Sequence, residues 1–547
     1  MMMKRIVSLT AWLLLLAGCG GGGGGTEPPG PPPPPPPPPV TKAEAYQFLN
    51  QGTFGALDQE TDDVIDRGLE GWIDFQILRP ASLQLPHVQS VPLPQFDFQL
   101  QTDRNDIWFR NVLWGEDQLR QRVAFALSEI MVVSQLGALN NAPFALADYY
   151  DVLTRNAFGN YRDLLEEITL HPAMGVYLSM LGNEKPNVAL NIRPDENYAR
   201  EVMQLFSIGL VELNIDGSTR LDGNNQPIPT YDQATIEGFA HVFTGWTWAG
   251  APDWYQARAT RQNQIVPMEL WEDFHDTGSK QLLNGVTLPP GQGGQQDLED
   301  ALDNIFEHQN VGPFLAIRLI QRLTTSNPSP GYVQRVAEVF NDNGQGVRGD
   351  LGAVVKAILL DDEARPEIAM EIDGKVKEPL LRLTQLWRNY NATSNGGGYP
   401  FGFSYILFGQ GPLQSPSVFN FFSPFYAPPG EIRDSSLVAP ELQIATEYQN
   451  TLITNFMFYQ VFALNQTNTD LQDTDIYIDI SEEMAIADDT TALIDMVAAK
   501  LLGGQISDTL RTEAAGMIDR FDATDTALRA AEAIYFVVTS PEYAYQR

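Results

Sequence analysis

The sequence predicts a mainly α-helical protein, in which a disordered Gly/Pro tether precedes a large multi-helical globular body with a small β-hairpin insertion. Apolar residues recur at spacings of three and four along most of the long segments, which is the pattern of amphipathic helices. The 547 residues are 43% hydrophobic, which is enough for a large packed core. Strand signals are few and short, so we expect little sheet.

The first 18 residues have the pattern of a secretory signal peptide. Lys4 and Arg5 form a basic start, and an apolar run follows from residue 6 to residue 17. A run of about a dozen apolar residues is too short to remain in a bilayer as a spanning helix. We therefore expect residues 1–18 to direct export and to be removed.

Cys19 is the single cysteine, so the chain can form neither an internal disulfide nor a cysteine-based zinc site. Residues 16–19, Leu-Ala-Gly-Cys, resemble the bacterial lipobox, in which the cysteine becomes lipidated. Gly20 follows in place of Asp, which resembles the pattern for passage to the outer membrane. We expect a lipid anchor at Cys19 that holds the protein in the cell envelope, at the outer membrane. The alternative is an ordinary signal peptide with an incidental cysteine.

Residues 19–40 have the composition of a tether. A run of glycines from Gly20 to Gly25 is flexible, whereas the prolines from Pro28 to Pro39 are interrupted only by Gly30. Such a proline run forms a stiff polyproline II rod that rises about 3.1 Å per residue. We expect a spacer that holds the body away from the membrane.

Residues 41–547 are predicted to form one helical domain with one or two lobes. The segment DQLRQRVAFALSEIMVV has apolar residues at spacings of three and four, which predicts an amphipathic helix with Leu119, Val123, Ala126, Ile130 and Val133 on it. Pro172 divides the following helical segment in two. Further helices are expected, in chain order, in GPFLAIRLIQRLTT, PGYVQRVAEVFND, LGAVVKAILLDDEA, EPLLRLTQLWRNY and ALRAAEAIYFVVTSPEYAYQR.

Two stretches carry the strand signals. Lys280 to Leu288 has Asn284 and Gly285 between apolar residues, which predicts a hairpin with a type I′ turn. The polar stretch from Val211 to Tyr231 is expected to form a loop or a small hairpin.

Charge and motif content exclude several function classes. The formal net charge of −35 repels polyanions, so we expect no nucleic-acid binding. The usual consequence of such charge is solubility. The chain contains no G-x-S-x-G elbow, P-loop, H-E-x-x-H motif or dinucleotide fingerprint. Serine hydrolase, nucleotide-dependent and zinc-protease functions therefore have no local support.

Five segments carry a family resemblance. They are FLNQGTFGA, RPDENYAREVMQLFSIGLVELN, YDQATIEGFAHVFTGW, FHDTGSKQLLNG and LIQRLTTSNPSPGYVQRVAEVFND. Together they resemble the exported bacterial family catalogued as domain of unknown function eighteen hundred, over nearly all of residues 43–547. The resemblance implies a fold, and it implies an exported sulfatase-like or phosphatase-like partner encoded nearby. It supplies no catalytic residues.

The segment Pro194 to Gly209 is predicted to be a helix with a cap and an ion pair at its start. Asp195 can cap the helix, and Glu196 and Arg200 are four residues apart, the spacing of an ion pair. Glu201 points away from Glu196 on a helical projection. The alternative is that Glu201 reaches into a cleft and acts in catalysis.

A polar stripe on an otherwise apolar helix gives the strongest candidate site. In ATIEGFAHVFTGW, Glu237 and His241 are one turn apart, so both could bind one divalent metal, or the carboxylate could orient the imidazole. The alternative is a solvent-facing stripe or a histidine that is hydrogen-bonded in the core.

His275 and Asp276 follow in a polar loop, near Lys280. Binding residues are frequent on such loops. Adjacent side chains point apart in an extended chain, however, which disfavours a direct His-Asp pair. His275 is a further candidate metal ligand, and both residues are candidates for catalysis.

The stretch GQGPLQSPSVFNFFSPFYAPPG, residues 409–430, is dense in aromatic and proline residues. It could line a ligand groove for a carbohydrate or an apolar chain. The alternative is irregular packing over a core.

These observations leave two functional hypotheses. The first is a lipid-anchored binding or assembly factor that works with a co-exported partner. The second is a metal-assisted enzyme that acts on envelope or extracellular polymers, in which Glu201, Glu237, His241, His275 and Asp276 converge. The sequence favours the first hypothesis slightly.

Overall fold

Short helices, several of them begun by a capping side chain or a proline, make up the body. The computed structural model describes residues 39–366 and 373–546, and the predicted signal peptide, Cys19 and most of the predicted tether lie outside them. The described residues form 24 α-helices and three two-stranded sheets. The prediction of a mainly α-helical fold is therefore confirmed.

The first nine helices form the N-terminal part of the body. Thr41 begins α1 in a capping box with Glu44. The predicted break between α8 and α9 falls at Pro172, where the His171 ring accepts the Ala173 N–H at 3.0 Å. The helices are α1 (Lys42–Gly52), α2 (Asp58–Arg67), α3 (Leu69–Ile77), α4 (Leu85–Ser90), α5 (Gln101–Trp114), α6 (Gln118–Ser128), α7 (Pro143–Asn156), α8 (Tyr161–Leu170) and α9 (Pro172–Tyr177).

The predicted helix in residues 194–209 is shorter than expected and changes type. An α-helix, α10 (Asn197–Glu201), continues directly into a π-helical segment, Val202–Ser207. A polar loop with two small antiparallel turns follows, as predicted, with bridges from Val211 to Pro229 and from Leu221 to Pro227. The next helix is α11 (Gln233–Val242).

The remaining helices include the other five segments predicted from the sequence, whereas α6 ends at Ser128 and leaves Ile130 and Val133 of its predicted helix in a turn and the chain after it. They are α12 (Gly294–Phe306), α13 (Val311–Leu323), α14 (Pro330–Asn341), α15 (Leu351–Leu360), α16 (Pro379–Asn389), α17 (Ser404–Phe408), α18 (Glu431–Asp434), α19 (Glu447–Phe462), α20 (Ser481–Ala485), α21 (Thr490–Leu502), α22 (Asp508–Ile518), α23 (Thr526–Val538) and α24 (Pro541–Ala544). Short 3₁₀ helices lie at Asp97–Leu100, Val188–Leu190, Trp254–Gln256, Asn263–Ile265, Glu272–Phe274, Leu283–Gly285, Asp362–Ala364 and Pro440–Gln443.

Each sheet is a pair of two-residue antiparallel strands. They pair β1 (Trp246–Thr247) with β2 (Glu269–Leu270), β3 (Lys280–Gln281) with β4 (Thr287–Leu288), and β5 (Lys375–Val376) with β6 (Tyr545–Gln546). The β3–β4 pair is the predicted hairpin. Asn284 (φ 56°, ψ 27°) and Gly285 (φ 72°) both take the left-handed conformation that a type I′ turn requires.

One large apolar cluster runs through the body. Its buried members extend from Ala45 in α1 to Tyr543 in α24, and residues from Val40 onward form a single compact unit. The C-terminal strand β6 pairs with β5, which fastens the end of the chain to the middle of the sequence. Within residues 39–366 and 373–546, no helix has the length and apolar character needed to cross a bilayer.

Candidate functional site

The turn before α10 and its first residues carry the predicted cap and ion pair. An Asp195 carboxylate oxygen accepts the Asn197 N–H at 2.8 Å. The carboxylate of Glu196 lies 3.1 Å from the Arg200 guanidinium. Both predicted contacts are confirmed, and these three side chains stabilise the start of the helix.

Glu201 has a different environment from Glu196. Its side chain is buried, its Oε2 atom has no hydrogen-bond partner among the described residues, and burial raises the pKa of this carboxyl despite the nearby Arg200 charge. The buried Tyr231 hydroxyl nearby also lacks a hydrogen-bond partner. No hydrogen bond or ion pair joins Glu201 to His241, His275 or Asp276, so the structure does not bring it into contact with the other candidates.

His241 and Asp276 are in direct contact. The Nδ1 atom of His241, near the end of α11, is hydrogen-bonded to Asp276 Oδ2. This hydrogen bond is the main reason why the pKa of Asp276 falls to about 2, since partial burial acts in the opposite direction. An ionised Asp276 is an acceptor, so we assign a proton to Nδ1, and Nε2 is the ring nitrogen that Asp276 leaves free. We call these two residues the dyad.

His275 points away from Asp276, as expected for adjacent residues in an extended chain. Its ring is fully buried, with Nε2 2.9 Å from Asp297 Oδ2 and Nδ1 3.0 Å from the Thr244 carbonyl oxygen. The Lys280 ammonium lies 2.5 Å from the same Asp297 oxygen. His275 therefore joins the loop to α12 (Gly294–Phe306), and both of its ring nitrogens already have partners.

His241 of the dyad lines a cleft of about 400 Å³. We call it the dyad cleft, and its lining includes Val188, Arg193, Glu196, Glu237, Ala240 and His241. The Glu237 carboxylate accepts a hydrogen bond of 3.3 Å from Gln233. Arg193 is exposed at the rim and makes no ion pair with any residue that the structure describes.

The three candidate metal ligands do not form one coordination sphere. Glu237 and His241 share the dyad cleft, but His275 is turned toward Asp297 on the far side of Thr244. Among residues 39–366 and 373–546, no three His, Cys, Asp or Glu side chains are arranged to hold a metal ion. The dyad is thus the part of the predicted site that the structure assembles, and its free imidazole nitrogen can accept or donate a proton.

A second cavity, of about 580 Å³, lies against the π-helical segment. We call it the aromatic cavity, because Phe314, Phe419, Phe422 and Phe425 line it, together with Leu210 and Val418. Phe419 and Phe425 remain 59% and 69% exposed. Gln204 and Leu205 of the π-helical segment also face the cavity, and π-helical turns are frequent at functional sites.

Two charged side chains at one wall of the aromatic cavity belong to a buried ionic cluster. Glu129 and Arg322 line the cavity and lie 2.9 Å apart. Burial, together with the Glu378 carboxylate, raises the pKa of Glu129 to about 8. Burial opposes ionisation of Glu378 too, but the nearby cations, chiefly Lys375 and Arg122, hold its pKa at about 2. Lys375 also contacts Glu441 at 3.1 Å.

Comparison with known proteins identifies the family. The family model described as "Protein of unknown function (DUF1800)" matches residues 47–545. The chain belongs to this family. No curated protein and no solved structure matches the chain. The DUF1800 match includes both the dyad cleft and the aromatic cavity, so the candidate sites are part of the family domain.

The sequence indicated part of each site in this DUF1800 chain. His241 and Asp276 were candidates, but their contact depends on the fold of a loop 35 residues along the chain. The aromatic stretch 409–430 was a candidate groove, and it supplies three of the four phenylalanines of the cavity. Glu129 and Arg322 were not predicted, because each lies in an ordinary amphipathic segment and gains its environment only from tertiary packing.

Proposed function

We propose that this DUF1800 protein is a binding protein whose aromatic cavity receives the apolar part of a ligand. The observation that carries the proposal is the aromatic cavity itself. It has the volume of a small-molecule site, and its walls combine aromatic side chains with a few charged groups.

The exposed rings of Phe419 and Phe425 support a binding role. Large aromatic side chains normally become buried, because each removes a large apolar area from water. Here two such rings stay more than half exposed beside a concave surface. An apolar ligand would cover them, and apolar surface of this kind marks a ligand or partner site.

The proposal predicts saturable binding of a neutral apolar probe. We expect 1-N-phenylnaphthylamine to bind the full chain with increased fluorescence, because its rings would replace water against the phenylalanines. The double variant Phe419→Ala/Phe425→Ala should bind it at least about tenfold more weakly, since each lost aromatic contact contributes about 0.5–1.5 kcal/mol.

Phe403→Ala is the matched control for this experiment. Phe403 is 68% exposed but does not line the aromatic cavity, so its replacement should leave the titration unchanged. Equal affinity in the double variant and the wild type, or the absence of saturable binding to the wild type, would contradict the proposal.

The proposal also includes the cellular location of the protein. The basic and apolar leader and the lipobox-like residues before Cys19 support export and lipid anchoring in the cell envelope, at the outer membrane. The family resemblance supports a co-exported sulfatase-like or phosphatase-like partner. In this setting, the tether would act as a spacer between the membrane and the body.

Acid–base catalysis in the dyad cleft is a second candidate function, and the contact between His241 and Asp276 favours it. A carboxylate on Nδ1 orients an imidazole and stabilises its protonated form, so that Nε2 can take a proton from a bound group or from water. This version of the enzymatic hypothesis needs two side chains and not the five that the sequence suggested.

A further inference from the structure

The aromatic cavity contains a cation without a counter-ion. Arg318, on α13, lines the cavity, and its guanidinium carbon lies 5.0 Å from the ring centre of Phe314 and 4.6 Å from that of Phe425. Its hydrogen bond within the described chain is one of 3.3 Å to Gln321. No carboxylate among the described residues is within ion-pair distance of this guanidinium.

Arg322, one turn further along α13, differs from Arg318 because it has a carboxyl partner. It lies over Phe422, with 4.9 Å between the guanidinium carbon and the ring centre, and it is paired with Glu129 at 2.9 Å. Arg322 therefore has a carboxyl partner among the described residues, whereas Arg318 has none. Burial lowers the pKa of Arg318 to about 9, with a further contribution from Arg322, so the guanidinium still carries its charge at neutral pH.

Two more hydrogen-bond donors at the aromatic cavity are buried without partners. Arg322 Nη1 and Asn420 Nδ2 each lack an acceptor in the described part of the chain, and both residues line the cavity. A buried donor without an acceptor costs about 1–3 kcal/mol. Both atoms are buried inside the protein, so Arg318 is the donor that can meet a ligand with an acceptor and a negative charge.

The rest of the cavity lining is apolar and therefore matches an apolar part of a ligand. Ile208, Leu210, Leu213 and Val418 present aliphatic surface, and the phenylalanines present aromatic surface. A ligand that satisfies both parts has an anionic end and an apolar body. Planar guanidinium groups bind carboxylates, as they bind phosphates, through paired hydrogen bonds, so a carboxylate head group fits Arg318.

We propose that the aromatic cavity binds an amphipathic carboxylate, an unbranched acyl chain with a free carboxylate that Arg318 holds. This inference rests on the proposed function of the cavity as an apolar binding site, and it adds the ligand class and the anchoring residue. Arg318 is the residue that distinguishes such a ligand from an uncharged molecule of the same length.

The test compares two probes that differ only in the head group. Decanoate and decan-1-ol are titrated against the full chain by displacement of 1-N-phenylnaphthylamine. We expect decanoate to bind at least about tenfold more tightly than decan-1-ol, because only the carboxylate forms charge-assisted hydrogen bonds. In Arg318→Gln, decanoate should lose at least about tenfold in affinity, while decan-1-ol binds as before.

Two further variants control for folding and for general charge effects. Arg318→Lys keeps the positive charge without the paired donors and should retain part of the preference for decanoate. Arg193→Gln removes another arginine that lacks an ion pair, outside the aromatic cavity, and should change neither affinity. Thermal unfolding of each variant checks that the fold is kept.

The outcomes separate this inference from the proposed function. Equal affinity for decanoate and decan-1-ol, or an unchanged preference in Arg318→Gln, would overturn the carboxylate assignment and leave the apolar binding site standing. Tighter binding of an apolar peptide with a free C-terminus than of decanoate would overturn the acyl-chain assignment. If neither decan-1-ol nor 1-N-phenylnaphthylamine binds, the proposed function itself fails.

Discussion

Asp276 shows how one hydrogen bond fixes the charge of a side chain. The contact with His241 stabilises the ionised carboxylate, and the Gly278 N–H and the Lys280 ammonium act in the same direction. His275, the preceding residue in the same loop, makes different contacts and links Thr244 to Asp297. Neighbouring residues in an extended loop thus contact different groups on its two sides.

The lowered pKa of Asp276 predicts a pH-dependent contribution to stability. Its value of about 2 in the folded protein lies below the ordinary 3.8, so the contribution is present above pH 3.8 and is lost as the pH falls toward 2. We expect Asp276→Asn to lower the free energy of unfolding by about 2 kcal/mol at pH 7. The difference from wild type should disappear near pH 2, as measured by urea unfolding across this range.

The same variant tests the acid–base candidate. Asp273→Asn is the matched control, because Asp273 lies in the same loop and makes no contact with His241. A pH-independent difference between Asp276→Asn and wild type would contradict the ionic role of the dyad. If Asp276→Asn also left the reactivity of His241 toward diethyl pyrocarbonate unchanged, acid–base catalysis in the dyad cleft would lose its basis.

At the level of elements, the β3–β4 hairpin is held close to α11 by a glycine. A Cβ atom added to Gly238 would lie 1.9 Å from the Gln281 carbonyl oxygen, which is backbone and has little freedom to move. Helix α11 and the strand β3 therefore approach each other as closely as backbone allows. This contact also fixes the loop that carries Asp276 relative to His241.

Gly238→Ala is expected to destabilise the protein by about 2 kcal/mol or more, although alanine is the better helix former. The steric overlap should also shift the hairpin and weaken the contact within the dyad. Chemical denaturation measures the first effect, and the NMR signal of the His241 Nδ1 proton reports the second.

Gly516→Ala provides the control for the helix-propensity effect. Gly516 lies on the exposed side of α22, and a Cβ atom there would meet nothing within 4 Å. This substitution should stabilise the protein by up to about 1 kcal/mol. If Gly238→Ala were as stable as Gly516→Ala, the hairpin would not be packed as the structure has it.

At the scale of the whole molecule, buried charged side chains connect segments that are far apart in the sequence. Arg122 of α6 donates to the Arg322 carbonyl oxygen on α13, and Lys375 donates to the same oxygen at 3.0 Å. Lys375 also pairs with Glu378 at 3.1 Å. Removing one partner from such a cluster leaves an uncompensated charge, so the cluster ties these helices to one arrangement beside the aromatic cavity.

The proposed anchor predicts the chemical state of the N-terminus. If Cys19 is lipidated, mature protein begins at this residue and carries acyl chains, which mass spectrometry and labelling with radioactive palmitate detect. Cys19→Ser should abolish the label and leave residues 1–18 attached, whereas Thr26→Ser in the tether should change nothing.

Fractionation of cells is the experiment that can contradict the proposed anchor. Unlabelled wild-type protein in the cytosol, with an intact leader, would refute the proposed export and lipidation. The proposed partner is tested on the same envelope fractions, because a stoichiometric sulfatase-like or phosphatase-like protein should copurify with the solubilised wild type. Repeated recovery of the DUF1800 protein alone would contradict that part of the proposal.

Local patterns in the sequence were enough to determine the helical class, most helix positions and the β3–β4 turn. Apolar spacing, the proline at position 172 and the Asn284-Gly285 pair act over a few residues, so their effect does not depend on the rest of the chain. The ion pair between Glu196 and Arg200 was predictable for the same reason.

Tertiary structure alone decided which polar groups meet and which remain without partners. Asp276 meets His241 where the hairpin packs on α11 at Gly238, and no acidic side chain among the described residues forms an ion pair with Arg318. The π-helical segment after Glu201 likewise has no local signal that we recognised. Electrostatic and hydrogen-bonding partners act across space, between residues far apart in sequence, and periodicity along one segment carries no information about them.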